Sequence, residues 1–177
     1  MINRRQSTFA MALSGLGIPF AAHARQLTLG FAQVGAESQW RIANSKSIQE
    51  SAAEAGIALR FADAQGDQAN QINAVRAFIA QRVHVIALAP VVTTGWDAVL
   101  SEARRARIPV IRTDRSVETR DDGLYVTLLG SDFTEEGRRA GRWLLRSAKP
   151  QGEVRVVELQ GTAGAAPTIE RKQGFGE

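Results

Sequence analysis

Residues 83–115 read VHVIALAPVVTTGWDAVLSEARRARIPVIRTDR, and the reading of this stretch decides the fold. Val83 to Leu88 is a short apolar run, interrupted only by His84 and closed by Pro90, the pattern of a strand buried on both faces. Thr93-Thr94-Gly95 then precedes a helix predicted from about Trp96 to Arg105, and Ile108-Pro109-Val110-Ile111 supplies the next strand. Strand, helix and strand in this order make a parallel crossover unit, which is right-handed. The second strand runs out at Asp114-Arg115, at the edge of an open α/β sheet where ligands bind. A carboxylate beside a guanidinium offers acceptors and a planar fork of donors, which suits the neighbouring hydroxyls of a small polyhydroxylated ligand. The same pair serves equally well to cap the turn after a strand, and the dipeptide alone does not decide between the two.

The alternation extends in both directions. Upstream, Leu27 to Phe31 predicts a strand, a stretch from about Trp40 to Ala55 a helix ending at Gly56, and Ile57 to Phe61 a second strand. Polar Asp63 to Gln71 leads into a helix whose apolar positions, Ile72, Val75, Phe78 and Ile79, have helical spacing. Downstream, Leu124 to Leu129 predicts a fifth strand. The pattern then restarts with a helix from about Thr134 to Arg146, a strand at Val154 to Leu159, a glycine-rich turn and a helix beginning near Ile169. The expected fold class is therefore α/β, a doubly wound parallel sheet with helices on both faces. Its carboxyl-edge loops are 33–39, 63–71, 90–95 and 113–122, and the polar and aromatic residues of interest collect in them.

The N-terminus speaks to compartment. Arg4 and Arg5 form a positive head, an apolar stretch runs from Phe9 to Ala22, and Ala22-His23-Ala24 fits a small-x-small cleavage site. Residues 1–24 are expected to be a signal peptide and the mature chain an exported protein with no stable membrane insertion. Gln6-Ser7 follows the arginine pair where the twin-arginine signal favours apolar residues, so the general secretory route is the expected one. The chain has 177 residues and a formal net charge of +4, but Arg4 and Arg5 fall in the signal and the remaining bases nearly balance 18 acidic residues. Nothing in that balance calls for nucleic acid.

Catalytic apparatus is not visible. Cysteine is absent, which removes thiol nucleophiles, disulfides and cysteine metal sites. Gly30 and Gly35 bracket a loop that lacks the Lys-Ser/Thr of a phosphate loop and the second glycine of a dinucleotide fingerprint. Asp63 reads as a turn residue and His84, inside an apolar run, as a packed structural histidine. Glu135-Glu136 reads as acidic residues favouring a helix N-terminus. No enzyme activity and no cofactor are expected.

Gly30 to Arg41 (GFAQVGAESQWR), Ile86 to Trp96 (IALAPVVTTGW), Asp114-Arg115-Ser116 and Val157 to Ala165 (VELQGTAGA), taken together and in order, closely resemble the galactofuranose-binding periplasmic proteins of bacterial sugar ABC transporters. The resemblance runs from about Leu27 to the last residue. It implies a periplasmic binding protein of type I, with two doubly wound lobes that close like a clamp on a monosaccharide and deliver it to a permease and its ATPase. It implies a monomer, with ligand contacts from Glu37, Ser38, Trp40 and Arg41 after the first strand, Asp114 and Arg115 after the fourth, and Arg171 from the opposite lobe. Trp40 would stack on the C–H face of the sugar, while the charged groups bind hydroxyls. Gln39 stands where relatives carry a small residue, which leaves the particular sugar open.

By the same resemblance, residues 25–131 form most of the first lobe and 132–177 the beginning of the second. The expectation is of a truncated binding protein that holds sugar weakly or not at all. Two other readings share the fold: a binding protein that presents sugar to a membrane receptor or kinase, and the effector domain of a sugar-responsive transcription regulator. The second requires an N-terminal helix-turn-helix where residues 1–24 stand.

Overall fold

The computed structural model describes residues 26–148 and 152–177. The expected signal peptide, residues 1–24, lies outside the described residues. Five strands and three helices alternate: β1 (Thr28–Gln33), α1 (Gln39–Glu54), β2 (Ala58–Asp63), α2 (Gln68–Ala80), β3 (Val85–Leu88), α3 (Asp97–Arg105), β4 (Val110–Thr113) and β5 (Thr127–Leu129). Helices α4 (Phe133–Ala148) and α5 (Ala166–Gly176) follow. The strands form one parallel sheet in the order β2-β1-β3-β4-β5.

The order follows from the crossovers. The chain leaves β1 for β2 on one side and then returns across β1 to β3, so right-handed connections place α1 on one face and α2 with α3 on the other. Strand alternation matches this division. Ala32, Ile86, Leu88 and Val110 meet Val75, Phe78, Val99 and Leu100 of α2 and α3 in the main core. Phe31 points the opposite way and stacks on its register partner Phe61, with ring centroids 5.8 Å apart. The change of direction between β1 and β3 is the switch point at which open sheets of this kind form their binding crevice.

Two buried glutamines fasten the carboxyl edge. The Gln71 amide nitrogen donates to Ala32 O at 3.2 Å and Ala89 O at 2.6 Å, and its Oε1 accepts from the Val91 amide at 2.9 Å. Gln33 donates to Asn44 Oδ1 and Ser45 Oγ of α1 and accepts from the Val34 amide. Each is fully buried with its polar atoms satisfied, which makes them crosslinks between strand ends and helices. Asp63 is the turn residue expected, accepting from the Gln65 amide at 2.7 Å. His84 stands just before β3, half-buried, and its Nδ1 accepts from the Thr28 amide at 2.9 Å, a structural role at the edge of β1.

Two expectations are corrected. The fifth strand is shorter than Leu124 to Leu129, because Asp122–Leu124 forms a single 3₁₀ turn in which Asp121 Oδ1 accepts from the Gly123 amide. Val154 to Leu159 is not a strand at all. Its Val156, Val157 and Leu159 stand 51%, 87% and 95% exposed. An apolar run becomes a strand only when a neighbour pairs with its backbone, and among the described residues none does.

Helices α4 and α5 pack on each other closely enough to need glycine. A Cβ at Gly137 would run into the Arg171 carbonyl, and one at Gly174 into the Thr134 carbonyl. Asp132 caps α4 by accepting from the Glu135 amide at 2.8 Å. The turn before α5 is tied to the loop after β3 through a hydrogen bond from the Thr93 amide to Gly164 O at 2.9 Å, with Ala165 and Ala166 buried.

Candidate functional site

A cavity of about 490 Å³ lies between the carboxyl edge of the sheet and a second wall made by α4, α5 and the segment 158–162. The structure brings all seven expected residues to it: Glu37, Ser38, Trp40, Arg41, Asp114, Arg115 and Arg171.

The first wall is built where β1 ends and α1 begins. Ser38 is the N-cap of α1, its Oγ accepting from the Arg41 amide at 3.1 Å, so the cap itself fixes the turn that carries Trp40 and Arg41. Arg41 is buried, not the solvated helix residue its position on a polar helix would suggest. Its Nε donates to Glu37 Oε1 at 3.3 Å and its Nη2 to Asp114 Oδ2 at 2.7 Å, which joins the loop after β1 to the loop after β4. Arg115 lies against the same two carboxylates, 3.6 Å from Glu37 Oε1 and 3.6 Å from Asp114 Oδ2. Two cations thus share two anions. Burial, and after it the adjacent Arg41 charge, lower the Arg115 pKa from the usual guanidinium value, against the pull of Asp114 and Glu37. It remains a cation at any physiological pH.

Asp114 is held in an unusual backbone state. Its φ is +65°, and the Arg115 amide donates to Thr113 O at 2.7 Å, which closes a γ-turn around it. A positive φ at a residue with a side chain costs about 1–3 kcal/mol and persists where the surroundings enforce it. Here they do: the Asp114 amide donates to Leu129 O, and a Cβ at Gly130 would stand 2.5 Å from the Asp114 carbonyl. The end of β5 therefore fixes the turn that aims the carboxylate.

Trp40 is 57% exposed and lines the cavity, with the Arg41 guanidinium 4.8 Å from its ring centroid. Across the cavity, Arg171 of α5 lies 4.6 Å over the Phe133 ring and donates from Nε to Glu136 Oε2 at 2.8 Å. Phe133, Glu136 and Glu158 also line the cavity, and the sequence reading assigned none of them to it. Acidic residues in the first turn of a helix are ordinary, so Glu136 carried no local signal. Phe133 shows as an apolar residue beside a cap. Only contact with Arg171, 35 positions beyond Glu136, marks Phe133 and Glu136.

A doubly wound α/β sheet with paired charges and an open indole at its carboxyl edge has the chemistry to hold a small polar ligand with an apolar face. The family described as a periplasmic binding protein domain matches residues 29–177, and the chain belongs to it. It is 46% identical over 173 residues to the galactofuranose-binding protein YtfQ of Escherichia coli (strain K12), a match covering 97% of this chain and 52% of that protein. A solved structure from Mycobacterium smegmatis in complex with β-D-fucofuranose superposes with a TM-score of 0.81 at 60% identity, over 84% of this chain and 49% of that one. The periplasmic binding protein component of the arabinose ABC transporter from Shewanella sp. ANA-3, bound to α- and β-L-arabinofuranose, gives a TM-score of 0.79 at 53% identity, over 84% and 48%. The chain spans about half the length of the curated relatives it matches. The fold expected from the sequence, that of a type I periplasmic binding protein, is the one observed. Among the described residues no helix is long and apolar enough to cross a membrane.

Proposed function

We propose that this chain is the sugar-capturing part of a periplasmic solute-binding protein that takes up a furanose, galactofuranose or a close relative, and passes it unchanged to the permease and ATPase of an ABC transporter. The observation that carries the reading is the open Trp40 ring on a wall where the partly buried Asp114 carboxylate is hydrogen-bonded to the buried Arg41 and ion-paired with the buried Arg115. An indole face suits the C–H face of a sugar ring, and a carboxylate flanked by guanidinium groups suits vicinal hydroxyls. The proteins it resembles are described with galactofuranose, fucofuranose and arabinofuranose, which favours the furanose ring. In this reading residues 1–24 are the export signal. Residues 25–131 and 132–177 belong to two lobes that hinge near Ser131-Asp132, and Glu37, Ser38, Trp40, Arg41, Asp114, Arg115 and Arg171 are the ligand contacts. The protein acts as a monomer, without a cofactor.

The test is calorimetric titration of the full chain with D-galactose and L-arabinose, whose solutions contain furanose tautomers. Weak but saturable binding is expected of this chain, lost on Asp114→Ala and weakened at least tenfold on Trp40→Ala, with the sugar recovered unaltered. Absence of saturable binding, or chemical turnover of the sugar, would sink the proposal.

A further inference from the structure

The two walls of the cavity manage charge differently. On the first, Arg41 and Arg115 share Glu37 and Asp114 and are mostly buried. On the second, Arg171 is about half exposed and its carboxylate partner is Glu136, at 2.8 Å, itself lining the cavity. Phe133 contributes only a ring face beneath that guanidinium. The remaining acid at the cavity, Glu158, accepts from the neutral amide of Gln160 at 3.1 Å. Glu136 therefore decides whether Arg171 stands ion-paired or free on the second wall, facing whatever lies between the walls.

Resting on the reading of the cavity as a sugar site, we infer that Glu136 is a specificity-determining residue that selects neutral sugars against sugar acids. With it in place, three guanidinium groups face four carboxylates around the cavity, and a uronate brings a fifth negative charge into a site with no cation to spare. A neutral sugar meets no such opposition and uses donors and acceptors on both walls. Removing the Glu136 charge leaves Arg171 free to pair with a ligand carboxylate, the interaction to which a guanidinium is best suited. A unit charge about 6 Å away at a partly screened site changes an affinity about tenfold.

The experiment compares D-galactose with D-galacturonate on the full chain, at neutral pH, in the wild-type protein, Glu136→Gln and Glu136→Asp. Thermal unfolding establishes that each variant is folded. The readout is the ratio of the two dissociation constants, which cancels any loss common to both sugars. The wild type is expected to prefer galactose at least tenfold, Glu136→Gln to reduce that preference about tenfold, and Glu136→Asp to restore most of it. A preference unchanged in Glu136→Gln, or equally reduced in Glu136→Asp, overturns the assignment while leaving the sugar-binding reading intact. Binding of neither sugar by the wild type overturns both.

Discussion

Trp96 and Trp143 mark the difference between the two regions of this molecule. Trp96, at the start of α3, has no exposed surface, and its Nε1 donates to Val92 O at 2.7 Å. Trp143, on α4, is 63% exposed. The main core lies wholly between Ala32 and Leu124. In 132–177, by contrast, Leu145, Val154, Val156 and Phe175 face outward, and among the described residues burial is confined to Phe133, Gly137, the turn at Ala165–Pro167 and Gly174. The sheet region closes its own interior and supplies the rigid wall of the site. The helical pair contributes the other wall and depends on close contact for its position.

The sharpest break is between the two indoles themselves. Trp96→Ala removes a fully buried aromatic and is expected to cost about 3–5 kcal/mol, whereas Trp143→Ala is expected to change stability by less than about 0.5 kcal/mol. Urea unfolding of the 177-residue chain measures both. Equal costs would mean that the helical pair is as well packed as the sheet, and the contrast drawn from burial would fail.

A smaller effect, confined to one region, is expected from Gly174→Ala. The added methyl meets the Thr134 carbonyl across the α4–α5 contact, an overpacking that costs about 1–3 kcal/mol. Hydrogen exchange should show lost protection in α4 and α5 with β1, β3 and β4 unchanged, together with weaker sugar binding as Arg171 moves from its wall. Loss of protection spread evenly over the sheet would show that the two regions unfold as one unit.

How far the sequence could be read follows the same division. Strands β1 to β4 were legible because each is an apolar run bounded by turn residues, and their order follows from crossover handedness. The first wall was legible at Asp114-Arg115 because strand ends in such sheets are binding positions whatever the family. Trp40, Arg41 and Arg171 rested on resemblance, since a tryptophan on a helix is more often a core anchor and an arginine on a helix is more often solvated. Val154 to Leu159 misled for a physical reason: its pattern records what its side chains prefer, not whether a partner strand lies beside it. The strained φ of Asp114, fixed by Gly130 at the end of another strand, and the pairing of Glu136 with Arg171 are products of tertiary contact, and no local spacing encodes them.

The regions also meet directly, through Ser116 Oγ donating to Glu170 Oε1 at 2.6 Å. Neither residue lines the cavity, so this bond acts on how the walls sit together and not on the ligand. Ser116→Ala is expected to weaken sugar affinity about fivefold, the equivalent of about 1 kcal/mol for one hydrogen bond. The change should appear in the dissociation rate, because the bond holds the walls together once closed. A slower association with unchanged dissociation would instead assign Ser116 to the open state.

The smallest effect concerns surface charge, where each region has an acid at or near the surface held below the usual carboxylate range. The Arg104 guanidinium, bonded at 2.6 Å, is the main cause for Asp121, with the Gly123 amide second. For Glu135 the causes are Arg139 and then Arg142, at 3.1 and 2.6 Å. Both folded values lie below the unfolded ones, so the stabilisation is present above the ordinary carboxylate range and is lost as the pH falls through the depressed values. Salt separates the two. Glu135 is held by side-chain cations alone, which about 1 M salt screens. Asp121 also accepts a backbone hydrogen bond inside its own turn, which salt leaves in place. Carboxylate titration by NMR should therefore show Glu135 returning toward the usual range at high salt by more than Asp121 does. Equal recovery would mean that the Gly123 amide contributes nothing and that Arg104 alone holds Asp121 down.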